Sequence, residues 1–536
     1  MFKMSKDTAI DLDRILQQMG AFGKYNIVNY ALLLFPIYLA GMYGSVFVFE
    51  ASDINYRCKI EQCEGLDDTS WLTSAIPLDG DRLSKCKKYA AIVGNETCSA
   101  AAFNTNITIG CDAIQYSLED SVVRDFDLGC QNWKRTLIGT IHNSGLFVSL
   151  PLTGIMSDRF GRKKALAVAS LMNGIFGFAR SFSINYVMMV VFEFLEAALG
   201  AGAYTTAFVL AMELVGPKGR VFGNTLINFI FTFGLMTLPG LSWWLQDWRQ
   251  LLRIIYAPAM LVLSYIWLLN ESVRWLLSKG RNEEAIEILR KAAKMNNVDI
   301  SEELNPIFEM KVPELQQTKN IDAENDGTST FVKVLKSRII RTRVIVCSFL
   351  WMTCTFVYYG LSINSVGLGG NKYVNFMLVG FVEIPANFAC LLVLDRFGRK
   401  KILIIMYILS ACLCIGLSFI PKDHKLLSLI IYLSGKFSIT VAYSSVYIYV
   451  SEVFPTSVRQ SLLAICSSLG RVGSTLAPLT PLLALYYDNL PSIFFGSLAL
   501  TASAMVFILP ETLNVPLPDT IEEAERLARP KSVSAE

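Results

Sequence analysis

Six ionisable side chains lie inside long apolar stretches of the sequence. They are Glu193, Glu196, Glu383, Lys436, Arg471 and His142. A charge at the centre of a bilayer costs roughly 2.5–3.5 kcal/mol on insertion scales, so such residues are functional candidates. A carboxylate can hold an ammonium group, and a guanidinium can hold an acid through paired hydrogen bonds. The pattern predicts recognition of a charged solute, and the alternative is an internal salt bridge between Glu383 and Arg471 that never meets one.

Aromatic residues in the same stretches can hold an ammonium group by cation–π attraction. The candidates are Tyr204, Trp351, Tyr358, Tyr359, Tyr443 and Tyr447. Membrane helices are rich in aromatic residues for other reasons, so ordinary packing is the competing interpretation for each one. Together with Glu383, Lys436 and Arg471, these residues make up the predicted solute-binding set.

A charged signature occurs once in each half of the chain. The first copy, from Gly154 to Lys164, reads GIMSDRFGRKK, and the second, from Leu394 to Lys401, reads LDRFGRKK. Each copy connects two apolar stretches, and each half also contains a Glu followed seven residues later by Arg. Such pairs can hold one conformation closed and break when it opens, whereas a static charged loop is the alternative. The residues assigned to this gate are Asp158, Arg159, Arg162, Glu213, Arg220, Asp395, Arg396, Arg399, Glu452 and Arg459.

Twelve stretches have the roughly 20 apolar residues needed to cross a bilayer. They lie near 26–49, 136–156, 165–182, 186–212, 221–245, 251–269, 340–362, 374–394, 402–420, 426–450, 460–485 and 491–510. Charged residues make up 17% of the chain, against roughly 25% in soluble domains. The net charge of +3 gives no support for nucleic-acid binding. The sequence predicts an all-α membrane protein whose two six-helix halves are parallel repeats.

The loops after the second and eighth stretches carry Arg and Lys clusters, which the positive-inside rule places in the cytoplasm together with both termini. The loop 50–134 is then outside. It contains two glycosylation sequons, at Asn95 and Asn106, and six cysteines. An even cysteine count in an oxidising compartment predicts three disulfides, for which fifteen pairings are possible. The six cysteines are Cys58, Cys63, Cys86, Cys98, Cys111 and Cys130.

The domain boundaries follow from these stretches. We expect a cytoplasmic N-terminus at 1–25, a first bundle at 26–270, a cytoplasmic linker at 271–339, a second bundle at 340–510 and a cytoplasmic tail at 511–536. Within the linker, the residues from Asn282 to Met295 have an amphipathic helical pattern, and 313–330 are poor in large apolar residues. The linker is predicted to lie across the bundle, and a solvated spacer is the alternative.

The repeated G-x-x-x-D-R-x-G-R-K loop resembles the hallmark of the major facilitator superfamily. Further segments resemble solute carrier family 22, the organic ion transporters: the cysteine-rich first loop, GAFGKY from Gly20, ESVRWLLSKGRNEEA from Glu271, and LPETLNVPLPDT from Leu509. Asn270 departs from the proline that the family usually has before this Glu-Ser. The resemblance covers nearly the whole chain and implies the twelve-helix major facilitator fold, with a large extracellular loop between helices 1 and 2.

The resemblance also bears on selectivity. Glu383 resembles an acid that organic cation transporters keep in span eight, whereas Arg471 resembles the arginine of the anion and carnitine-type groups. An acid together with an arginine looks most like the carnitine or zwitterion transporters, as does Lys436. Glu193 stands near a position where many relatives carry arginine, so it is expected to balance Lys436 or Arg471 or to favour cations. For His142, a hydrogen-bonded structural role is favoured over titration near neutral pH.

The sequence thus predicts a plasma-membrane carrier of small zwitterions or amine-bearing organic ions, carnitine-, β-alanine- or carcinine-like, working by alternating access. The alternatives are an organic cation uniporter, an organic anion exchanger, and a transporter-like receptor that binds without moving its ligand. An enzyme is not expected, because no nucleophile constellation or metal-ligand cluster stands out. No cofactor or metal is expected, coupling to Na+ or H+ is open, and a homo-oligomer is possible.

Overall fold

The structure is a computed structural model that describes residues 12–20, 22–64, 70–79, 82–92, 98–300, 337–421, 423–455, 458–513, 515, 518 and 521–526. Within these residues, nine helical segments are long and apolar enough to cross a membrane. The shorter apolar helix Leu490–Val506 and the long, more polar helices Asn132–Phe160 and Arg162–Arg180 complete a set of twelve, which we number as spans 1 to 12.

The first half contains spans 1 to 6, and the second half contains spans 7 to 12. In the first half the spans are Lys24–Tyr43, Asn132–Phe160, Arg162–Arg180, Tyr186–Gly200 with Gly202–Leu214, Pro217–Leu245, and Trp248–Tyr256 with Ala257–Ser264 and Tyr265–Leu268. In the second half they are Arg338–Asn364, Lys372–Phe397, Arg399–Leu417, Lys425–Val453, Arg459–Leu476 with Ala477–Leu485, and Leu490–Val506. Shorter helices are Leu12–Gln18, Phe47–Glu50, Leu72–Ala75, Val122–Asp125, Val273–Ser278, Asn282–Asn296 and Ile521–Arg526, with 3-10 turns at Ala100–Ala102 and Ser365–Gly367.

Local sequence explains where several spans begin and end. Asn185 and Asn371 cap spans 4 and 8, because their side-chain oxygens accept otherwise unpaired amides of the first helical turn. Spans 2 and 3 meet at Gly161, and spans 8 and 9 meet at Gly398, with φ of 103° and 96°. Only glycine adopts such angles without strain, so the signature glycines allow the sharp reversal between consecutive spans.

The loop between spans 1 and 2 is held by three disulfides. They join Cys58 to Cys111, Cys63 to Cys98 and Cys86 to Cys130, which confirms that all six loop cysteines are paired. The loop also contains three antiparallel strand pairs: Tyr56–Cys58 with Ile114–Tyr116, Leu78–Asp79 with Arg82–Leu83, and Lys87–Ala91 with Phe103–Gly110.

The two predicted glycosylation sites stay predictions. Asn106 lies on the strand Phe103–Gly110 and is exposed, as an acceptor of a bulky glycan must be. Asn95 lies outside the described residues.

We call the end of the bundle that carries this loop the loop end, and the end that carries Gly161 and Gly398 the signature end. At the loop end, Phe49 lies against Tyr373 and Phe376 of span 8, with ring centroids 5.8 and 5.1 Å apart. Trp243 of span 5 stacks on Tyr373 at 6.0 Å. These aromatic contacts join the two halves at the loop end.

A helix of the linker packs beside the start of span 1. It spans Asn282–Asn296, close to the predicted range. The Asn296 side chain accepts a hydrogen bond from the Tyr25 amide at 2.9 Å and donates one to the Met19 carbonyl at 3.0 Å. Ile286 and Leu289 are buried in the same apolar cluster as Ile15 and Tyr25. The segment 313–330 lies outside the described residues.

Candidate functional site

Glu383 of span 8 and Lys436 of span 10 form an ion pair in the second half. The Lys436 ammonium lies 3.1 Å from the Glu383 carboxylate, and both side chains are at most 5% exposed. The Tyr358 hydroxyl donates a hydrogen bond of 2.5 Å to the same carboxylate. Lys436 also donates to the Ser362 hydroxyl at 2.8 Å and to the Tyr358 carbonyl at 3.2 Å. The acid of span 8 is therefore neutralised by a lysine within its own half.

The aromatic ring beside this pair already holds a cation. The Lys436 ammonium lies 3.1 Å from the centroid of the Tyr358 ring. Tyr358 in turn contacts Tyr359 edge-on at 5.1 Å and stacks on Tyr443 at 5.4 Å. Lys436 occupies the cation–π position of Tyr358, so an incoming ammonium must use another aromatic face or displace it.

Arg471 of span 11 has a different environment. Its guanidinium lies within electrostatic reach of the hydroxyls of Tyr359, Tyr443 and Tyr447, of which Tyr359 is placed to be a hydrogen-bond partner. Across the interface between the halves, Tyr204 of span 4 lies within electrostatic reach of Arg471. Within the described part of the chain, Arg471 forms no ion pair with a carboxylate. The alternative salt bridge between Glu383 and Arg471 is thus not formed.

The remaining predicted residues extend the same cluster. Trp351 of span 7 packs against Tyr447 at 4.8 Å between ring centroids. A Cβ atom at Gly470 would lie 2.3 Å from the Trp351 ring, so span 11 fits against it only through glycine. Tyr447 is 52% exposed. The structure therefore brings all nine predicted solute-binding residues into one contiguous group of tyrosines, a tryptophan and three charges.

The charge balance of this group is positive. Glu383 contributes one negative charge, while Lys436 and Arg471 contribute two positive charges. The Glu383–Lys436 pair cancels internally, which leaves the Arg471 guanidinium uncompensated by any described residue. A charge among membrane-spanning helices is costly when it lacks a counter-charge, so this site is suited to a solute that brings an acidic group.

The first half contains a second buried ionic cluster, and it corrects the expectation for Glu193. Glu193 does not balance Lys436 or Arg471, because its carboxylate forms an ion pair with Arg180 and a hydrogen bond of 2.8 Å with His142. His142 thus has a hydrogen-bond partner within its own half. Glu50 approaches the same guanidinium at 3.4 Å, and Glu196 lies 3.5 Å from His142.

Two members of this cluster were not predicted from the sequence. Arg180 and Glu50 stand at the last residues of apolar stretches, where charged side chains normally reach water. Both are fully buried. The sequence did contain one indication of them. Glu193 and Glu196 are three residues apart, so they share one face of span 4, and two buried acids on one face need a cation on a neighbouring helix.

At the signature end of the first half, Arg162 is the centre of an ionic network. It lies 2.8 Å from Asp158 and 3.4 Å from Glu213. The Glu271 carboxylate accepts hydrogen bonds from the amides of Arg162 and Lys163, at 2.9 and 3.1 Å. A carboxylate at the start of a helix is stabilised by its free amides and dipole. Glu271 is therefore the acid that binds the free amides at the start of span 3. Asp158 instead pairs with Arg162 and is 76% exposed.

The second half repeats this network. Arg399 lies 3.1 Å from Asp395 and 3.2 Å from Glu452, and Glu511 accepts the amide of Arg399 at 2.9 Å. The other assigned gate residues lie nearby but differ in their contacts: Arg159 and Arg396 extend over Phe160 and Phe397, Arg459 donates to the Phe454 carbonyl, and Arg220 lines a small cavity with Glu213. Each of these ion pairs lies within one half, so the networks fix how the spans of a half are joined.

The glycine at the signature turn has a testable cost. Replacing Gly161 with alanine should destabilise the protein by about 1–3 kcal/mol, because φ is strained for other residues and the new Cβ would lie 2.2 Å from a Glu271 oxygen. Gly154→Ala is the matched control in the same signature, since a Cβ there meets nothing within 4 Å. Thermal unfolding of the purified variants checks this, and equal midpoints for the two would contradict it.

The repeated halves and their paired networks define a class of protein, the major facilitator transporters. The family model described as "Sugar (and other) transporter" matches residues 93–524. Among solved structures, the inward-open xylose transporter XylE from E. coli superposes with a TM-score of 0.61 over 94% of this chain and 100% of its own, at 17% identity, which shows the fold. The predicted twelve-helix fold is thereby confirmed.

Comparison with curated proteins narrows the class. An "Organic cation transporter protein" of Drosophila melanogaster is 32% identical over 96% of this chain and 95% of its own length. The "Organic cation/carnitine transporter 2" of Homo sapiens is 31% identical over 96% and 94%. The chain belongs to solute carrier family 22 of the major facilitator superfamily. It is therefore a membrane transporter rather than an enzyme.

Proposed function

We propose that this transporter carries small organic solutes that combine an amine with an acidic group, such as carnitine- or β-alanine-like zwitterions. The single observation that carries the proposal is the environment of Arg471: a guanidinium among tyrosine hydroxyls with no carboxylate paired to it in the described residues. A solute carboxylate supplies the missing charge and fits the planar fork of a guanidinium.

The amine of the solute has two binding partners in this proposal. Tyr204, Trp351 and Tyr447 offer aromatic faces that Lys436 does not occupy. Glu383 is the second partner, because Lys436 has the Ser362 hydroxyl and the Tyr358 carbonyl as alternative acceptors. An arriving ammonium can thus share Glu383 without leaving Lys436 unsatisfied. A carcinine-like solute with an amine but no acid would use only this part of the site.

An organic anion exchanger is the second candidate. It is favoured by the net positive charge of Glu383, Lys436 and Arg471 taken together, since a simple anion neutralises that charge. A cation uniporter is supported by the names of several relatives, among them the Drosophila protein. It requires a cation to enter a site with an unpaired guanidinium, which is electrostatically unfavourable.

The transport cycle we infer is alternating access in the plasma membrane, with the signature end and both termini in the cytoplasm. The Arg and Lys residues of the signature loops support this orientation by the positive-inside rule, as do the three disulfides at the opposite end, which need an oxidising compartment. The networks around Arg162 and Arg399 then face the cytoplasm, and we infer that they gate that side.

An uptake panel tests the proposal. Purified protein in liposomes is supplied with radiolabelled carnitine, tetraethylammonium or para-aminohippurate, each with and without a sodium gradient. We expect accumulation of the zwitterion above the other two solutes. Preference for para-aminohippurate would favour the anion exchanger, and preference for tetraethylammonium the cation carrier. Saturable binding without accumulation would indicate a receptor.

A further inference from the structure

The buried cluster at the loop end of the first half is built around one guanidinium. Its titratable and charged members come from five spans and one short helix. They are Tyr43 of span 1, Glu50 of the helix Phe47–Glu50 that follows it, His142 of span 2, Arg180 of span 3, Glu193 and Glu196 of span 4, and Tyr256 of span 6. Each of these side chains is at most 6% exposed. The cluster lies apart from Glu383 and Arg471, which belong to the other half.

The charges of this cluster do not balance. Three carboxylates face one guanidinium, which leaves two negative charges when His142 is neutral and one when it is charged. A lone buried charge in a bilayer costs several kcal/mol. Neutrality therefore requires two bound protons, of which at least one is on a carboxyl group.

The hydrogen bonds show which carboxyl groups can hold that proton. Glu193 is bound directly to Arg180 and to His142, so its charge is satisfied. Glu50 and Glu196 are both buried. Among the described residues, no group donates a hydrogen bond to either carboxylate oxygen of Glu50 or to the Oε2 atom of Glu196. Buried carboxylate oxygens without donors are strongly unfavourable when ionised and far less so when protonated.

The cluster is also connected to the contact between the halves. Glu50 is the last residue of the short helix Phe47–Glu50, and its approach to Arg180 at 3.4 Å helps hold that helix in place. The neighbouring Phe49 packs against Tyr373 and Phe376 of the second half, while Phe47 lies 5.6 Å from the His142 ring. A change in the charge of the cluster thus acts on the segment that closes the loop end.

We propose that this cluster is a proton-binding site whose loading and unloading are coupled to the transport cycle. Glu196 and Glu50 are the carboxyl groups that take up the proton, and His142 and Glu193 share it with them through their hydrogen bond. Uptake or release of the proton changes the net charge of the cluster and the attraction of Glu50 for Arg180, and so changes how firmly the Phe47–Glu50 helix is held at the loop end.

The first test does not depend on which solute is carried. Infrared difference spectra of the substrate-free, purified protein are recorded across a pH titration, and the carbonyl band of protonated carboxylic acids is followed. We expect Glu196→Gln to remove part of this band, because glutamine keeps the shape of a protonated Glu but cannot titrate. Glu283→Gln, the same change on the exposed linker helix, should leave intact the part of the band that persists near neutral pH, because exposed carboxyl groups are ionised there. Identical titrations of wild type and both Glu196→Gln and Glu50→Gln would overturn the proposal.

The second test measures whether proton movement is coupled to solute transport. It rests on the proposed function only in needing a solute that the protein takes up. Whichever solute of the panel accumulates is used in liposomes with the membrane potential clamped at zero. At one proton per solute, a gradient of about one pH unit changes the accumulation ratio about tenfold. Glu196→Gln and Glu50→Gln should abolish this dependence, while Glu283→Gln retains it.

Two further results would overturn coupling: an unchanged pH dependence in the variants, or accumulation driven by a sodium gradient alone. Each variant is first checked for monodisperse elution, and Glu50→Gln stands in where Glu196→Gln does not fold. If no zwitterion is taken up but the infrared band still depends on Glu196, the proposed cargo fails while the proton site stands.

Discussion

Replacing Arg471 with alanine should lower the apparent affinity for a carboxylate-bearing zwitterion by about 10–100-fold, since hydrogen bonds to charged groups contribute about 1.5–3 kcal/mol each. The physical reason is that the only other cation among the nine predicted solute-binding residues, Lys436, is already paired with Glu383. Uptake of a small amine that lacks an acid should persist or increase, because the repelling guanidinium is gone. Radiolabelled uptake of both solutes by the same preparation measures this.

Two variants sharpen that result. Arg471→Lys keeps the charge but loses the planar fork, so we expect it to recover only part of the affinity. Arg338→Ala removes an exposed arginine at the start of span 7 and should leave both affinities unchanged. An equal loss of zwitterion and amine uptake in Arg471→Ala, with normal amounts of protein in the membrane, would mean that Arg471 supports the fold and does not bind the acid.

The sequence predicted the helices well because each span carries its own signal. Length and hydropathy locate most spans within a few residues, as span 7 illustrates: 340–362 was expected and the helix runs Arg338–Asn364. The charged signatures mark the turns between spans because glycine and arginine are needed there for local reasons. The disulfide pairing of the loop was beyond the same reasoning, since it depends on how strands far apart in the chain are brought together.

The candidate site was predicted in its members but not in its pairing. Sequence alone places Glu383, Lys436 and Arg471 in spans 8, 10 and 11, yet Glu383 could pair with either of the two cations. The helix rotations decide this, and they put the lysine beside the glutamate. Arg180 was missed for a related reason: a residue at the end of a span is assumed to reach water, and only the packing of spans 1, 4 and 6 around it shows that it does not.

Breaking the Glu383–Lys436 pair should destabilise the protein more when Lys436 is replaced than when Glu383 is replaced. Removal of one partner of a buried ion pair costs about 3–5 kcal/mol, because it leaves the other charge unpaired. Lys436→Met should lie at the upper end, since Glu383 then retains only the Tyr358 hydroxyl. Glu383→Gln should cost less, because the ammonium keeps the Ser362 hydroxyl, the Tyr358 carbonyl and the Tyr358 ring.

The double variant Glu383→Gln with Lys436→Met should recover most of the lost stability, as replacing both charges removes the unpaired one. Thermal unfolding of the four proteins gives the coupling energy of the pair, with Lys425→Met as a control for the same change at the exposed start of span 10. If the double variant recovers its stability as expected, it also separates support of the fold by Glu383 from contact of Glu383 with the solute. We expect its apparent affinity for the zwitterion to fall about tenfold or more, which is the effect of losing one charged partner for the amine. An unchanged affinity would mean that Arg471 and the aromatic faces hold the solute alone, and that the Glu383–Lys436 pair only joins spans 8 and 10.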